Sequence, residues 1–84
     1  MKIQEVLQKT TQFFREKGIE SARLDAELLL SEALHIRRLD LYLKFDQPLT
    51  DIELNQCRES VRRRAAGEPV AYILGRQEFF GLDF

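Results

Sequence analysis

The sequence predicts an all-α fold, a small bundle of four to five helices followed by a β-prone tail. The length of 84 residues allows one small domain. A composition of 44% hydrophobic and 32% charged residues is ordinary for a globular protein. Apolar residues recur with the spacing of helix faces through most of the chain, and this periodicity is the most direct of the three observations.

Charge and cysteine content narrow the class of protein. The formal net charge of −1 gives no general attraction to nucleic acid or to membranes. Cys57 is the single cysteine and cannot form an internal disulfide, and no apolar run approaches the length of a membrane span. We therefore expect a cytoplasmic module that is monomeric.

The first helix is predicted at the N-terminus, where the pattern is strongly amphipathic. Gly18 follows it and suits the left-handed position that ends many helices. The residues spaced to lie on one face of this helix are Ile3, Val6, Leu7, Thr10, Phe13, Phe14 and Lys17.

The second helix is predicted from Ala22 to Ile36, with Ser21 as its N-cap. It is apolar nearly all round, which is typical of a helix buried between neighbours, so we place it at the centre of the bundle. Its apolar residues are Leu24, Leu28, Leu29, Leu30, Ala33, Leu34 and Ile36. His35 in its last turn is expected to be exposed or to offset the negative end of the helix, because no metal-ligating partners are spaced around it.

The segment from Leu39 to Phe45 is ambiguous. It alternates apolar and polar residues, a pattern that by itself indicates a strand. A lone strand among helices would have no partner for its backbone hydrogen bonds, so we predict a short helix.

The fourth helix has a clear start. Thr50 and Glu53 form a capping box, and Leu49 with Leu54 forms a hydrophobic staple. Cys57 falls in the buried face and is interpreted as a small core residue rather than a nucleophile.

The end of the fourth helix is predicted from Arg62, Arg63 and Arg64, followed by Gly67.

Pro69 then suits the first position of a short fifth helix. Residues 78–84 read as a strand with a glycine kink. We expect a helical domain at 1–75 and, because so apolar a strand is costly to leave unpaired, a partner strand beyond Phe84.

The sequence offers no catalytic machinery. Its glycines are scattered rather than gathered in a phosphate-binding loop, and a single histidine cannot complete a nucleophilic triad. Asp25, Glu27 and Glu32 are interpreted as solvated or salt-bridged edges of the second helix. No catalytic, cofactor-binding or metal-ligating residue is predicted, and the chain alone is not expected to be an enzyme.

Four segments, taken in order, resemble a known family. They are Arg23–Leu30, Leu49–Asp51, Arg62–Gly75 and Glu78–Phe84. Together they are similar to the N-terminal domain of the HemK/PrmC protein-glutamine N5-methyltransferases. The last two segments carry the most specific pattern, and the resemblance covers essentially the whole chain.

The resemblance implies a longer parent protein. Family members join a helical N-terminal domain, through a β-hairpin linker, to a methyltransferase domain that binds S-adenosylmethionine. Their substrate is the glutamine of the Gly-Gly-Gln motif in class I peptide-chain release factors. The family's cofactor loop and its Asn-Pro-Pro-Tyr motif are absent from this sequence, so no site residue is carried over. Residues 76–84 would begin the linker hairpin.

For such a domain we hypothesise docking of the release factor, and a rigid support for the methyltransferase domain is an equal alternative. Basic side chains at the helix ends are candidate contacts with an acidic partner surface, or simply solvated: Arg37 and Arg38 at the end of the second helix, and Arg62, Arg63 and Arg64 at the end of the fourth. Tyr72, Arg76 and Phe79 are expected to face the protein's own methyltransferase domain.

Two other functions stay open. A free-standing helical interaction or dimerisation module would bury the apolar tail within its fold or across a twofold axis. A nucleic-acid-binding domain is suggested by the arginine triplet, but the near-zero net charge and few exposed aromatics weigh against it.

Overall fold

The computed structural model describes residues 1–74, and within them the protein is helical. The helices are α1 (Ile3–Glu16), α2 (Ala22–Leu34), α3 (Arg38–Leu43) and α4 (Asp51–Ala65), and residues 70–74 form a further helical turn. The predicted all-α class is confirmed. The strand predicted at 78–84, together with Arg76 and Phe79, lies outside the described residues.

Helix α2 is the centre of the bundle, as predicted, because α1, α3 and α4 all pack against it. Ala26, Leu29 and Leu30 are completely buried. The rest of the buried apolar core is Ile3, Val6, Leu7, Phe14, Ala22, Leu41, Cys57 and Ile73.

The predicted all-round apolar burial of α2 is only partly correct. Leu24 is exposed and Leu28 is half-buried, whereas Asp25 and Glu27 are buried. Charged side chains occupy these positions because α3 and α4 bring arginines to them. The solvated alternative for these two acids is therefore wrong and the salt-bridged one is correct.

The buried side chains of α1 also differ in part from the face predicted from the sequence. Phe14 is completely buried, but Phe13 and Lys17, both predicted on the same face, are exposed. Thr11 is buried instead, and its hydroxyl donates to the carbonyl oxygen of Leu7 at 2.8 Å. Lys17 lies 5.5 Å above the Phe13 ring, so the two form a surface cation–π pair.

Helices α1, α2 and α4 end in the same way, with one residue in the left-handed backbone region. These residues are Gly18 at φ 81°, His35 at φ 57° and Gly67 at φ 107°. In each case the next N–H reaches back to a carbonyl of the last turn: Ile19 to Phe14, Ile36 to Ser31 and Glu68 to Arg63. This is a Schellman motif, and it satisfies carbonyls that the helix itself leaves unpaired.

The segment 38–43 is a helix, which confirms the prediction for this ambiguous stretch. The loop after it pairs with the N-terminus of the chain. Phe45 and Gln47 offer their carbonyls to the N–H groups of Gln4 and Ile3, each at 3.0 Å, and so cap the start of α1.

Helix α4 starts with the predicted capping box. The Glu53 N–H donates to the Thr50 hydroxyl at 3.1 Å, and the Thr50 N–H donates to the Glu53 carboxylate at 2.9 Å. Cys57 is buried, and burial raises the pKa of its thiol to about 11. It is therefore a core residue and not a reactive thiol.

Candidate docking surfaces

Glu27 of α2 forms hydrogen bonds and an ion pair that connect α3 to α2. One carboxylate oxygen accepts from Arg38 at 3.0 Å. The other accepts from the Tyr42 hydroxyl and from Arg23 at 3.2 Å. Arg23 also donates to the Tyr42 hydroxyl at 3.0 Å and lies 5.6 Å above its ring. No buried side-chain polar atom of this contact between α2 and α3 lacks a partner, so the contact fixes the position of α3.

Hydrogen bonding also sets the charge state of Glu27. Desolvation alone would raise the pKa of this carboxyl, but hydrogen bonds from Tyr42, Arg38 and Arg23 favour the ionised form. The second effect is larger, and the pKa lies below its ordinary value. Glu27 is therefore an anion at neutral pH.

Asp25 makes the corresponding connection to α4. Its carboxylate accepts from Arg64 at 3.0 Å, and Arg64 also donates to the Glu68 carbonyl at 3.3 Å. Ser21 was predicted as an N-cap; it occupies that position, but its hydroxyl donates to Asp25 at 3.0 Å and caps no backbone group. The structure thus gives the Arg23–Leu30 segment a role in holding the bundle together.

The arginines predicted as partner contacts fall into two groups. Arg37 and Arg38 begin α3 rather than end α2, because α2 stops at Leu34. Arg62, Arg63 and Arg64 end α4, as predicted. All five have carboxylate partners, which are Asp40, Glu27, Glu59, Glu68 and Asp25 respectively. The arginines therefore do not form one free basic patch.

In the ion pairs of α3, however, the arginine is more exposed to solvent than its carboxylate partner. The side chain of Arg37 is 76% exposed and that of its partner Asp40 only 15%. The side chain of Arg38 is 51% exposed and that of Glu27 only 10%. Arg63, by contrast, is less exposed than Glu68. The two ion pairs of α3 therefore expose more positive than negative charge, even though the chain is almost neutral.

Helix α3 also turns apolar side chains to the solvent. Leu39 is 57% exposed, Tyr42 45%, Leu43 65% and Phe45, just after the helix, 48%. We call these four residues the α3 face. On a helix, residues 39, 42 and 43 lie on one side, and the fully buried Leu41 lies on the other.

The α3 face was not predicted from the sequence, although the alternating apolar and polar residues at 39–45 indicate it. The period-two alternation of residues 39–45 was considered only as a strand pattern. In a helix, with 100° between successive residues, the same alternation separates Leu41 from Leu39 and Leu43 by about half a turn. A short helix with this pattern must expose one of its apolar sides.

A second surface lies where the described chain ends. A cleft of about 510 Å³ lies between α2, α4 and residues 70–74, with Ala33, Ile73 and Leu74 among its lining residues. Tyr72, predicted as an interdomain contact, is exposed in the adjoining helical turn, and Ile52 of α4 is exposed at the cleft. Arg76 and Phe79 lie beyond the described residues.

Residues 1–74 contain no cluster of histidine, cysteine or acidic side chains that could hold a metal ion. Across the same residues no helix is long and apolar enough to span a membrane. The α3 face and the cleft beside Leu74 are two candidate docking surfaces among the described residues.

Comparison with known proteins gives consistent matches. A family model described as the PrmC N-terminal domain matches residues 5–75. A release factor glutamine methyltransferase of Geobacter sulfurreducens is 55% identical over 98% of this chain, which corresponds to 29% of that relative. Proteins of the same name from Chlorobaculum tepidum and Rhodopirellula baltica are 48% and 45% identical, each over 27% of their own length. No solved structure gave a significant match.

Proposed function

The chain belongs to the PrmC N-terminal domain family, and on that premise we propose that it is the substrate-docking domain of a release factor glutamine methyltransferase. Residues 1–75 would form the helical domain and 76–84 the start of the linker to the methyltransferase domain. That second domain would bind S-adenosylmethionine and transfer its methyl group to the side-chain nitrogen of the glutamine in the Gly-Gly-Gln motif.

The observation that carries the proposal is the extent of the match. The relatives named release factor glutamine methyltransferase align with nearly all of this chain but with less than a third of their own length. A domain without catalytic residues that accompanies a transferase acting on a large protein can still hold that substrate, and this is the task that we propose for it.

Methyl transfer to an amide nitrogen benefits from a domain that holds the substrate. An amide nitrogen is a poor nucleophile, because its lone pair is delocalised into the carbonyl group. Transfer to it depends on holding the nitrogen in line with the methyl–sulfur bond, with the reacting atoms about 3–3.5 Å apart. A short glycine-rich loop contributes little binding energy and loses conformational entropy on docking.

A second contact on the release factor would offset this weakness. Once the factor is held by the helical domain, entry of its loop becomes intramolecular, at an effective concentration of order mM. Arg37, Arg38, Arg62, Arg63 and Arg64 are candidate contacts for the factor. Tyr72, Arg76 and Phe79 are candidate contacts for the methyltransferase domain.

The proposal is tested by comparing two substrates of the methyltransferase that carries this domain. Deleting residues 1–74 should raise KM for a whole release factor by about tenfold or more. The same deletion should leave kcat and KM for a short Gly-Gly-Gln peptide unchanged, because the peptide is too small to reach the domain.

The 84-residue chain added in trans provides a second test that needs no deletion. It should inhibit methylation of the whole factor competitively and leave methylation of the peptide unaffected. A truncated enzyme that still binds S-adenosylmethionine and shows the same KM for the whole factor as the complete enzyme would contradict the proposal.

A further inference from the structure

We propose that the α3 face is the surface that contacts the release factor, and that it meets an apolar patch bordered by carboxylates on that factor. This inference rests on the proposed docking function and assigns it a place and a chemistry. Apolar burial would supply the affinity, and the basic side chains around the face would steer and orient the partner.

The first support is that the α3 face exposes apolar side chains to water, which is unfavourable in free energy. Four large apolar side chains lie within seven consecutive positions, and each is about half exposed or more. A contiguous exposed patch of this kind, bordered by polar groups, is a common feature of protein-interaction sites. Covering it removes apolar surface from water, which is the main source of affinity in protein association.

The second support is that the face is already held in place. Tyr42 is fixed through Glu27 and Arg23. The Phe45 carbonyl is fixed by the Gln4 N–H, and Leu41 is anchored in the core. Little backbone ordering would be required on binding, so more of the contact energy would appear as affinity.

The third support is charge complementarity. Arg37 and Arg38 expose most or half of their side chains, while their carboxylate partners are covered. Lys44 is exposed immediately beside Leu43. The exposed carboxylate of Asp46 follows Phe45, but it is paired with Lys2 at 2.9 Å. The border of the face is therefore mainly positive and would match carboxylates on the partner. Leucines are its two most exposed members, which favours a protein over RNA, whose bases stack on aromatic rings.

The face is also separate from the point where the described chain ends. Helix α3 packs on α1 and α2, whereas Ile73 and Leu74 line the cleft between α2 and α4. A partner on the α3 face would thus leave that cleft accessible. The domain could hold the release factor and its own methyltransferase domain at the same time.

The apolar contribution is tested with Leu39→Gln combined with Leu43→Gln in the complete methyltransferase. Loss of two central apolar contacts should raise KM for the whole release factor by about thirtyfold. The values of kcat and of KM for a Gly-Gly-Gln peptide should not change. Leu24→Gln is the matched control, because Leu24 is also an exposed leucine, 43% accessible, but lies on α2 and outside the cleft.

The charge contribution is tested with Arg37→Glu, compared with Arg58→Glu on the exposed side of α4. Only the first should raise KM for the whole factor, and its effect should shrink as salt is added, because exposed charges are screened. Equal effects of the two reversals would overturn the assigned charge complementarity.

The outcomes separate this inference from the function on which it rests. If deletion of the domain raises KM but the double leucine variant does not, the docking function stands and the α3 face is wrong. If the deletion itself has no effect, the docking function fails. Loss of RNA binding or of self-association in the leucine variant, with an unchanged KM for the factor, would also overturn the assignment.

Discussion

His35 has the least favourable backbone of the residues described. It lies at φ 57°, in the left-handed region, at a position that glycine occupies after α1 and α4. The region costs a residue with a side chain about 1–2 kcal/mol. His35 was expected only to be exposed or to offset the helix end; the sequence lacks the glycine that would have marked this turn.

Replacing His35 with glycine should therefore stabilise the domain. We expect His35→Gly to raise the free energy of unfolding by about 1 kcal/mol. The gain is smaller than the full strain energy, because glycine also increases the conformational entropy of the unfolded chain. His35→Ala should give no gain, because alanine keeps the β carbon. Urea denaturation at neutral pH measures all three proteins, and equal midpoints for the glycine and alanine variants would show that the backbone is not strained.

Helix α2 shows how far periodicity alone can place an element. Its existence and its central position followed from the run of leucines and its start from Ser21, and the structure agrees. The identity of its buried face did not follow. Asp25 and Glu27 are buried because their partners Arg64 and Arg38 come from other helices, and such pairing is invisible to a pattern read along one segment.

The same reason limits what could be said of the candidate site. Arginines at helix ends could be recognised from sequence, but their burial and pairing depend on contacts between positions far apart in the chain. The exposure of the α3 face likewise depends on which side of a short helix meets α1 and α2. Local caps such as Thr50 with Glu53 were predictable because both partners lie within four residues.

A pair of leucines in α2 tests this description of the element. Leu29→Ala should lower the free energy of unfolding by roughly 2–5 kcal/mol, because it opens a cavity in a fully buried position. Leu24→Ala should change it by no more than about 0.5 kcal/mol, since Leu24 is exposed. Thermal or urea unfolding compares the two, and a larger loss for Leu24→Ala would mean that the faces are reversed.

At the scale of the whole molecule, covered carboxylates make the fold sensitive to acid. The pKa of Glu27 is lowered in the folded protein, so its ionised form stabilises the fold above the ordinary value of 4.5. This stabilisation is lost as the pH falls below that value towards the folded pKa. Glu5 and Asp40 also have lowered pKa values, through hydrogen bonds from the Lys2 and Arg37 N–H groups, and act in the same direction.

Glu27→Gln should accordingly reduce, but not abolish, the loss of stability in acid. At pH 7 the variant should be less stable by about 1–3 kcal/mol, because Arg23 and Arg38 lose their charged partner. At pH 3 the difference from the unsubstituted protein should be smaller, since the stabilisation by ionised Glu27 declines as the pH falls below 4.5 towards the lowered pKa. Urea denaturation at both pH values measures this, and a difference that grows on acidification would contradict the assigned direction.

The pairing of the N-terminus with the loop after α3 has a consequence for how the domain forms. Met1, Ile3 and Gln4 bond to residues more than forty positions later. During synthesis, α1 therefore lacks the carbonyls that cap its first turn until the segment through Gln47 has emerged from the ribosome. Closing so long a loop carries an entropic cost before any contact offsets it, so completion of this corner should be a late event in folding.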